Sequence, residues 1–339
     1  MHFEEFVTLA PYTTLHIGGP ARWFAEARTD EEVAEAVRFA RARALPFFVL
    51  GGGSNLLVRD AGFAGLVIHM GLRGIRQDEG RFAVAAGEAW DSFVSHAVER
   101  GYAGIECLAG IPGTVGATPV QNVGAYGQEV AETIVRVRAF DTKTDKIVDL
   151  AAAECGFAYR RSLFNSVKRG RYIVTAVTYA LRAAGEPRLS YADLQRRFPA
   201  GTRPTLEEVS ETVREIRQGK GMLIVEGEPD CRSAGSFFKN PVVEQAHYAR
   251  IAGDAAAAVP SYPAGEGRVK LPAAWLVEHA GFPKGYTMGR AGISSRHTLA
   301  LINRGEATAD DVLALAERIK AAVREKFGVE LEMEPVVLG

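Results

Sequence analysis

Three consecutive glycines, Gly51-Gly52-Gly53, follow directly on the apolar run Phe47-Phe48-Val49-Leu50 and lead into Ser54-Asn55. An apolar run of this length, bounded by Pro46 and by glycine, predicts a short buried strand that ends in a sharp loop. Without Cβ atoms, such a loop lets successive backbone N–H groups turn toward an anion such as a diphosphate. Ser54 and Asn55 add side-chain donors, and Leu56 resumes the apolar pattern. The spacing excludes a dinucleotide fingerprint, because the third glycine of that motif would fall at Leu56. It also excludes a P-loop, since no Gly-Lys-Ser/Thr follows. Taken alone, a plain tight turn explains the loop equally well.

A second segment narrows the choice. Gly110-Ile111-Pro112-Gly113-Thr114-Val115-Gly116-Ala117 is followed by Gln121-Asn122-Val123-Gly124-Ala125-Tyr126-Gly127. That glycine content and the adjacent amide pair exceed what a connector needs, and long loops usually carry function. The amides of Gln121 and Asn122 have the donors and acceptors to read the polar edge of a flat ring, and Tyr126 can stack or donate.

Helix and strand signals surround both segments. Thr29 and Glu32 predict a capping box that opens a helix with Val33, Ala36, Val37 and Ala40 on one face, ending before Pro46. Val67-Ile68, Phe82–Val84, Val135–Phe140 and Tyr172–Leu181 read as strands, and Trp90–Arg100 as a helix. Thr205 and Glu208 predict a second box before Val209, Val213 and Ile216, and Ala273–His279 a further helix. Thr308 caps a helix striped by Val312, Leu315, Ala316, Ile319 and Val323, which Gly328 ends; a strand over Val329–Leu338 follows. The alternation is neither strict βαβ nor all-β, so the fold class is α+β with an N-terminal and a C-terminal half. A chain of 339 residues exceeds one ordinary core, and Gly185-Glu186-Pro187 offers a boundary.

Composition excludes several function classes. The net charge is −1 with both signs interspersed, so the basic face that nucleic acid requires is not expected. Cys107, Cys155 and Cys231 form no CxxC pair and are odd in number, which predicts reduced thiols in the cytoplasm and no metal site. The acidic start Met1-His2-Phe3-Glu4-Glu5 has no apolar core of a signal peptide, and no run approaches the roughly 18 apolar residues of a membrane span.

The two glycine segments together resemble the flavin-binding domain of the UDP-N-acetylenolpyruvoylglucosamine reductase family. The likeness continues in order through Thr14–Gly19, Tyr159-Arg160-Arg161-Ser162-Leu163-Phe164, Ser233–Pro241 and Leu331-Glu332-Met333-Glu334, and covers nearly the whole chain. The string Gly235-Ser236-Phe237-Phe238-Lys239-Asn240-Pro241 is its most specific block. The resemblance implies a two-subdomain FAD-binding domain of the PCMH type over residues 1–183, with subdomains of about 1–70 and 71–183. A C-terminal α+β substrate-binding domain would occupy 184–339, its last strand returning toward the flavin domain. It implies non-covalent FAD held by Gly51, Gly52, Gly53, Ser54, Asn55, Leu56, Gly110, Ile111, Pro112, Gly113, Gly116, Ala117, Gln121, Asn122, Gly124 and Tyr126. NADPH would reduce the flavin and leave. UDP-N-acetylglucosamine enolpyruvate would then take its place and become UDP-N-acetylmuramate, a peptidoglycan precursor. Neither nucleic acid nor membrane is an expected partner, and a monomer is expected.

The family's catalytic residues map onto Arg160 as a charge clamp, Ser236 as proton donor and Glu334 as the acidic residue at the substrate carboxylate. Tyr191, in Leu189-Ser190-Tyr191-Ala192-Asp193-Leu194, matches the type I branch, whose tyrosine loop closes over the UDP group. Lys220, Asn240, Tyr262, Lys284 and His297 fall where substrate contacts are expected. His297 replaces the amide of one branch member, the 221–231 segment is longer and more acidic than in that member, and Arg161 replaces a frequent acidic residue. Two competing readings remain: a flavin oxidase on the same scaffold, and a nucleotide-sugar-binding module without turnover. The first often attaches its flavin through His or Cys near the first glycine loop, and Gly51–Asn55 contains neither.

Overall fold

Local signals set the helices. Thr29 caps helix Asp30–Ala42 by accepting from Glu32 N–H at 3.2 Å, while the Glu32 carboxylate reaches back to the N–H of Arg28. Val33, Ala36, Val37 and Ala40 form its buried face. Helix Leu206–Gly219 opens on a reciprocal box between Thr205 and Glu208. Helix Ala309–Phe327 opens on another between Thr308 and Asp311, and Gly328 stops it in left-handed backbone. Each cap satisfies N–H groups that the first helical turn leaves without partners.

This computed structural model describes residues 1–255 and 258–339. The chain packs as two units. One comprises Met1–Val7, Ala21–Gly53 and Phe63–Gln218; the other comprises Thr8–Pro20, Ser54–Gly62 and Gly219–Gly339.

The two larger sheets of the first unit frame its core. One has the order Glu4–Thr8, Pro20–Ala27, Phe63–Met70, Phe47–Leu50, with Phe63–Met70 parallel to both Pro20–Ala27 and Phe47–Leu50. Helix Asp30–Ala42 packs on it through Val33, Val37, Leu66 and Ile68. The other is antiparallel, in the order Lys146–Ala151, Ile134–Asp141, Tyr172–Ala180, Arg81–Ala85, Ile75–Asp78. Phe82, Val177 and Tyr179 pack there against Trp90 and Phe93 of helix Trp90–Glu99. Fully burying one such side chain contributes about 1.5–3 kcal/mol. The polar tips remain satisfied: Trp90 Nε1 donates to Leu108 O at 3.0 Å, and the Tyr179 hydroxyl bonds Thr118 Oγ1 at 2.7 Å. Both bonds pin the second glycine segment to the core.

By packing, the first unit extends to Gln218. Leu194, Leu206, Val209 and Val213 bury in the same core as Trp90 and Phe93, which keeps their helices with the first unit.

In the second unit, an antiparallel sheet runs Ser233–Ser236, Ala300–Asn303, Ala291–Ile293, Thr287–Met288. A three-stranded sheet runs Val242–Glu244, Arg268–Lys270, Tyr262–Pro263. Helices Ala273–His279 and Ala309–Phe327 pack into the core through Leu276, Val312, Leu315 and Ile319. The final strand is shorter than the apolar pattern predicts. Only Val336–Leu338 is extended, paired in parallel with Leu56–Val58. Pro335 precedes it and lacks an N–H for a ladder, while Val329 and Leu331 turn into the core. Among the described residues, no helix is long and apolar enough to cross a membrane, and no group of three His, Cys, Asp or Glu could hold a metal ion.

Candidate active site

The first glycine loop packs backbone to backbone on the second. A Cβ on Gly52 would lie 2.7 Å from Gly113 Cα, and one on Gly51 2.5 Å from Thr114 Oγ1. Among the described residues, none accepts a hydrogen bond from the N–H of Gly52 or Gly53. A close pair of glycine loops with N–H groups to offer fits a diphosphate-bearing cofactor. Past Gly53 the loop enters the second unit, where Asn55 holds the chain's end. Its side chain donates to Glu334 O at 3.2 Å, and its carbonyl accepts from Val336 N–H at 3.0 Å.

The second segment divides into residues that face inward and residues that remain available. Gly110 donates its N–H to Asp91 and accepts at its carbonyl from Arg217 Nε at 3.0 Å. Gly116 N–H donates to Ala86 O. The Asn122 amide, expected to read a ring edge, is buried and serves the protein instead. It donates to Glu129 at 2.8 Å and to Ala158 O at 3.2 Å, and accepts from Ala131 N–H at 3.1 Å. Both ends of its side-chain amide therefore have partners within the protein. Gln121, by contrast, is half-buried. Strands Gly124–Ala125 and Gln128–Glu129 form a hairpin whose two-residue loop, Tyr126-Gly127, has φ of 47° and 85°. Two positive φ values mark the turn whose twist suits a hairpin.

Arg160 is attached to this hairpin: its Nη2 donates to Gly124 O at 3.0 Å. It is the second central residue of a tight turn closed by paired bonds between Ala158 and Arg161, and its φ is 53°. Glycine or asparagine is the usual occupant of such a position, so an arginine there is held under backbone strain of the kind that collects at functional sites. Asn165 steadies the turn by donating to Arg160 O.

Arg217, Asp91 and Arg214 escaped the sequence reading. Arg217 is 6 % exposed and bonds Tyr126 as well as Gly110. Burial lowers its pKa below the usual guanidinium value, opposed by Tyr126 and Asp91. Arg214 pairs with Asp91 and donates to Ser95 Oγ. A signal did exist: Arg217 continues the buried stripe Val209, Val213 at four-residue spacing. A cation in an apolar stripe requires a buried partner.

In the second unit, Ser236 ends a strand whose pairing with Ala300–Asn303 shifts register between Ser233 and Ser236. Beyond it Phe237 and Phe238 are buried, and Phe237 N–H donates to Leu299 O. The Glu332–Glu334 segment runs antiparallel alongside. Glu334 N–H donates to Phe237 O at 2.9 Å, Phe238 bridges Met333, and Lys239 N–H donates to Glu332 O at 2.9 Å. Ser236 and Glu334, nearly one hundred residues apart in sequence, thus come to adjacent extended segments. Much of the motif around Ser236 is scaffolding: Lys239 pairs with Glu332, and Asn240 Oδ1 accepts from Ala273 N–H at 2.9 Å, at the start of helix Ala273–His279.

Three expected substrate residues lie around one turn. His297 N–H donates to Ser294 Oγ; Gly285, after Lys284, donates to Ser294 O; and a Cβ on Gly221, after Lys220, would meet Ser294 Oγ at 3.3 Å. Tyr262 is exposed on the edge strand, paired with Lys270. Tyr191 belongs to the first unit and sets its ring edge-on to Tyr126, centroids 5.3 Å apart.

The mixed sheets and the paired glycine loops fit a protein that holds a diphosphate-bearing cofactor such as a flavin. Residues 21–151 match the family described as FAD binding domain. Residues 228–338 match the family described as UDP-N-acetylenolpyruvoylglucosamine reductase, C-terminal domain. The chain is 50% identical to the UDP-N-acetylenolpyruvoylglucosamine reductase of Streptomyces coelicolor, over 98% of this chain and 89% of that protein. It is 46% identical to the Thermobifida fusca enzyme of the same name, over 99% and 98% respectively. A crystal structure of the Thermus caldophilus reductase superposes with a TM-score of 0.70 at 30% identity, covering all of both chains. The chain belongs to the UDP-N-acetylenolpyruvoylglucosamine reductase family.

Proposed function

We propose that this protein reduces UDP-N-acetylglucosamine enolpyruvate to UDP-N-acetylmuramate with NADPH, in peptidoglycan precursor synthesis. FAD, bound at the paired glycine loops, would supply the chemistry of accepting hydride from NADPH and passing it to the terminal carbon of the enol ether. Addition there places negative charge beside the substrate carboxylate, as an enolate. Arg160 answers that charge, because a guanidinium stays protonated and forks onto a carboxylate. Ser236 delivers the proton to the α carbon, and Glu334 orients the carboxylate end.

The observation that carries this reading is the antiparallel placement of Glu334 beside Phe237, one residue past Ser236. It gives the two proposed catalytic groups a shared and rigid support. The flavin contacts fall to Gly51–Leu56 and to the backbone of the 110–126 segment, and the diphosphate to Lys220, Lys284 and His297, with Tyr191, Asn240 and Tyr262 completing the substrate set. Lysine suits a diphosphate as a point charge. In this reading most of the FAD contacts come from the first unit and most of the substrate contacts from the second, and the enzyme works as a monomer in the cytoplasm.

The test is an anaerobic spectrum of the flavin-loaded protein. NADPH should bleach the flavin, and the enolpyruvyl nucleotide should then restore the colour. Recovery only with oxygen would point to an oxidase. Binding of the nucleotide with no change in the flavin would point to a module without turnover.

A further inference from the structure

The segment that carries Tyr191 is fastened to the second glycine loop by contacts that the catalytic reading does not use. Arg188 Nη1 donates to Gly127 O at 2.7 Å and to the Glu132 carboxylate at 2.6 and 2.8 Å. The Arg188 N–H donates to Glu106 Oε1 at 2.9 Å. Glu106 is fully buried, and its carboxylate also accepts from Gln128 Nε2 at 2.7 Å and from Gly104 N–H at 2.7 Å. Gln128 in turn accepts from Cys107 N–H, and Cys107 Sγ donates to Arg188 O at 3.2 Å. A Cβ on Gly127 would lie 2.6 Å from Ser190 Oγ, so the two loops touch directly. At the far end of the segment, Tyr191 meets Tyr126 edge-on.

These contacts have a direction. Glu106 and Gln128 are buried and fixed, whereas Arg188 and Glu132 are half exposed. An exposed ion pair contributes little to global stability. Here it joins the hairpin turn that carries Tyr126 to the residue three positions before Tyr191. A cross-link at that point restricts where the Tyr191 ring can go while leaving the fold unaffected.

We propose that Arg188, seated on the Glu106–Gln128 pair, is a positioning residue that holds Tyr191 in register with the Tyr126-Gly127 turn, and so sets the affinity for the nucleotide half of the substrate. The inference rests on the reading of Tyr191 as a substrate residue. Without the latch, the segment samples other arrangements, and the apparent dissociation constant rises by the inverse of the fraction that stays aligned. If that fraction falls to about one tenth or one fifth, binding weakens about five- to tenfold. The rate of the bound complex is unchanged, because no reacting atom is touched.

The experiment uses the flavin-loaded full chain in anaerobic stopped flow. The flavin is reduced first, then mixed with increasing UDP-N-acetylglucosamine enolpyruvate. Arg188→Ala should raise the half-saturating concentration about five- to tenfold with an unchanged limiting rate, and Arg188→Lys should recover part of the loss. In a Tyr191→Ala background, Arg188→Ala should add less than about twofold, since both act through one ring. Full additivity of the two changes would show that Arg188 acts elsewhere and overturn the proposal. So would unchanged half-saturation in Arg188→Ala while Tyr191→Ala alone weakens binding. If Tyr191→Ala itself has no effect, the substrate role of Tyr191 fails, and the inference fails with it for that distinguishable reason.

Discussion

Gly52→Ala probes the contact on which the cofactor argument depends. The added Cβ would sit 2.7 Å from Gly113 Cα, 3.1 Å from its carbonyl carbon and 3.4 Å from its nitrogen. Carbon atoms rest at about 3.5–4.0 Å, so the loops must separate by about 1 Å. The neighbour is backbone, and no flexible side chain can swing away to make room. Overpacking of this kind costs about 1–3 kcal/mol. In the proposed cradle FAD lies on both loops, so displacing one from the other should weaken its binding. At tenfold per 1.4 kcal/mol, FAD affinity should drop about 5- to 150-fold. Titration of flavin-free protein with FAD, followed by quenching of flavin fluorescence, measures this. Gly253→Ala is the control: it is exposed in helix Gln245–Asp254, where among the described residues its added Cβ meets nothing within 4 Å beyond its own helix backbone and chain neighbours, and it should leave FAD affinity unchanged. FAD binding by Gly52→Ala within about twofold of wild type would refute the reasoning, because a contact that gives way so easily cannot define the cradle.

Further expectations follow from other sites. Ser236→Ala should leave NADPH reduction of the flavin intact and slow reoxidation by the enolpyruvyl nucleotide; stopped-flow spectra separate the two steps, and equal rates would remove Ser236 from proton transfer. Arg160→Ala should cost on the order of 10²–10³ in the reoxidation rate, as for loss of a charge-stabilising donor, measured in the same instrument. The Arg171 guanidinium holds the buried Asp141 carboxyl well below its ordinary range. A depressed carboxylate pKa gives stability that is complete above the unfolded value near 3.9 and is lost as pH falls toward the folded one. Acid unfolding of Asp141→Asn should therefore have a shallower slope below about pH 4, checked by circular dichroism. Burial pushes the Cys155 thiol up to about 11 and raises that of Cys107 further. Both should resist a disulfide reagent at pH 8 in the native protein and react after denaturation, since only the thiolate attacks.

Much of the local structure could be read from the sequence because its signals are short-range. A cap and the carboxylate three residues on need only one helical turn, so Thr29, Thr205 and Thr308 mark their helices correctly. The glycine run after Phe47–Leu50 marks a sharp loop suited to an anion, and the structure adds that this loop packs against Gly113. The blocks around Arg160, Ser236 and Glu334 identify the family because their order along the chain is kept.

Three features depended on distance in space. The Asn122 amide looked like a ligand group, yet three protein groups reach it first from residues 129, 131 and 158. The extended pattern of Val329–Leu338 could not reveal which residues turn into a core. Arg217 passed unnoticed as a charge in an apolar stripe, and its partners Gly110 and Tyr126 lie about ninety or more residues away. By itself, then, the sequence determined the caps, the close-approach loops and the family. Only the tertiary structure decided which polar groups have internal partners, because a hydrogen bond forms with whatever chain packing brings within about 3 Å, however far off in sequence.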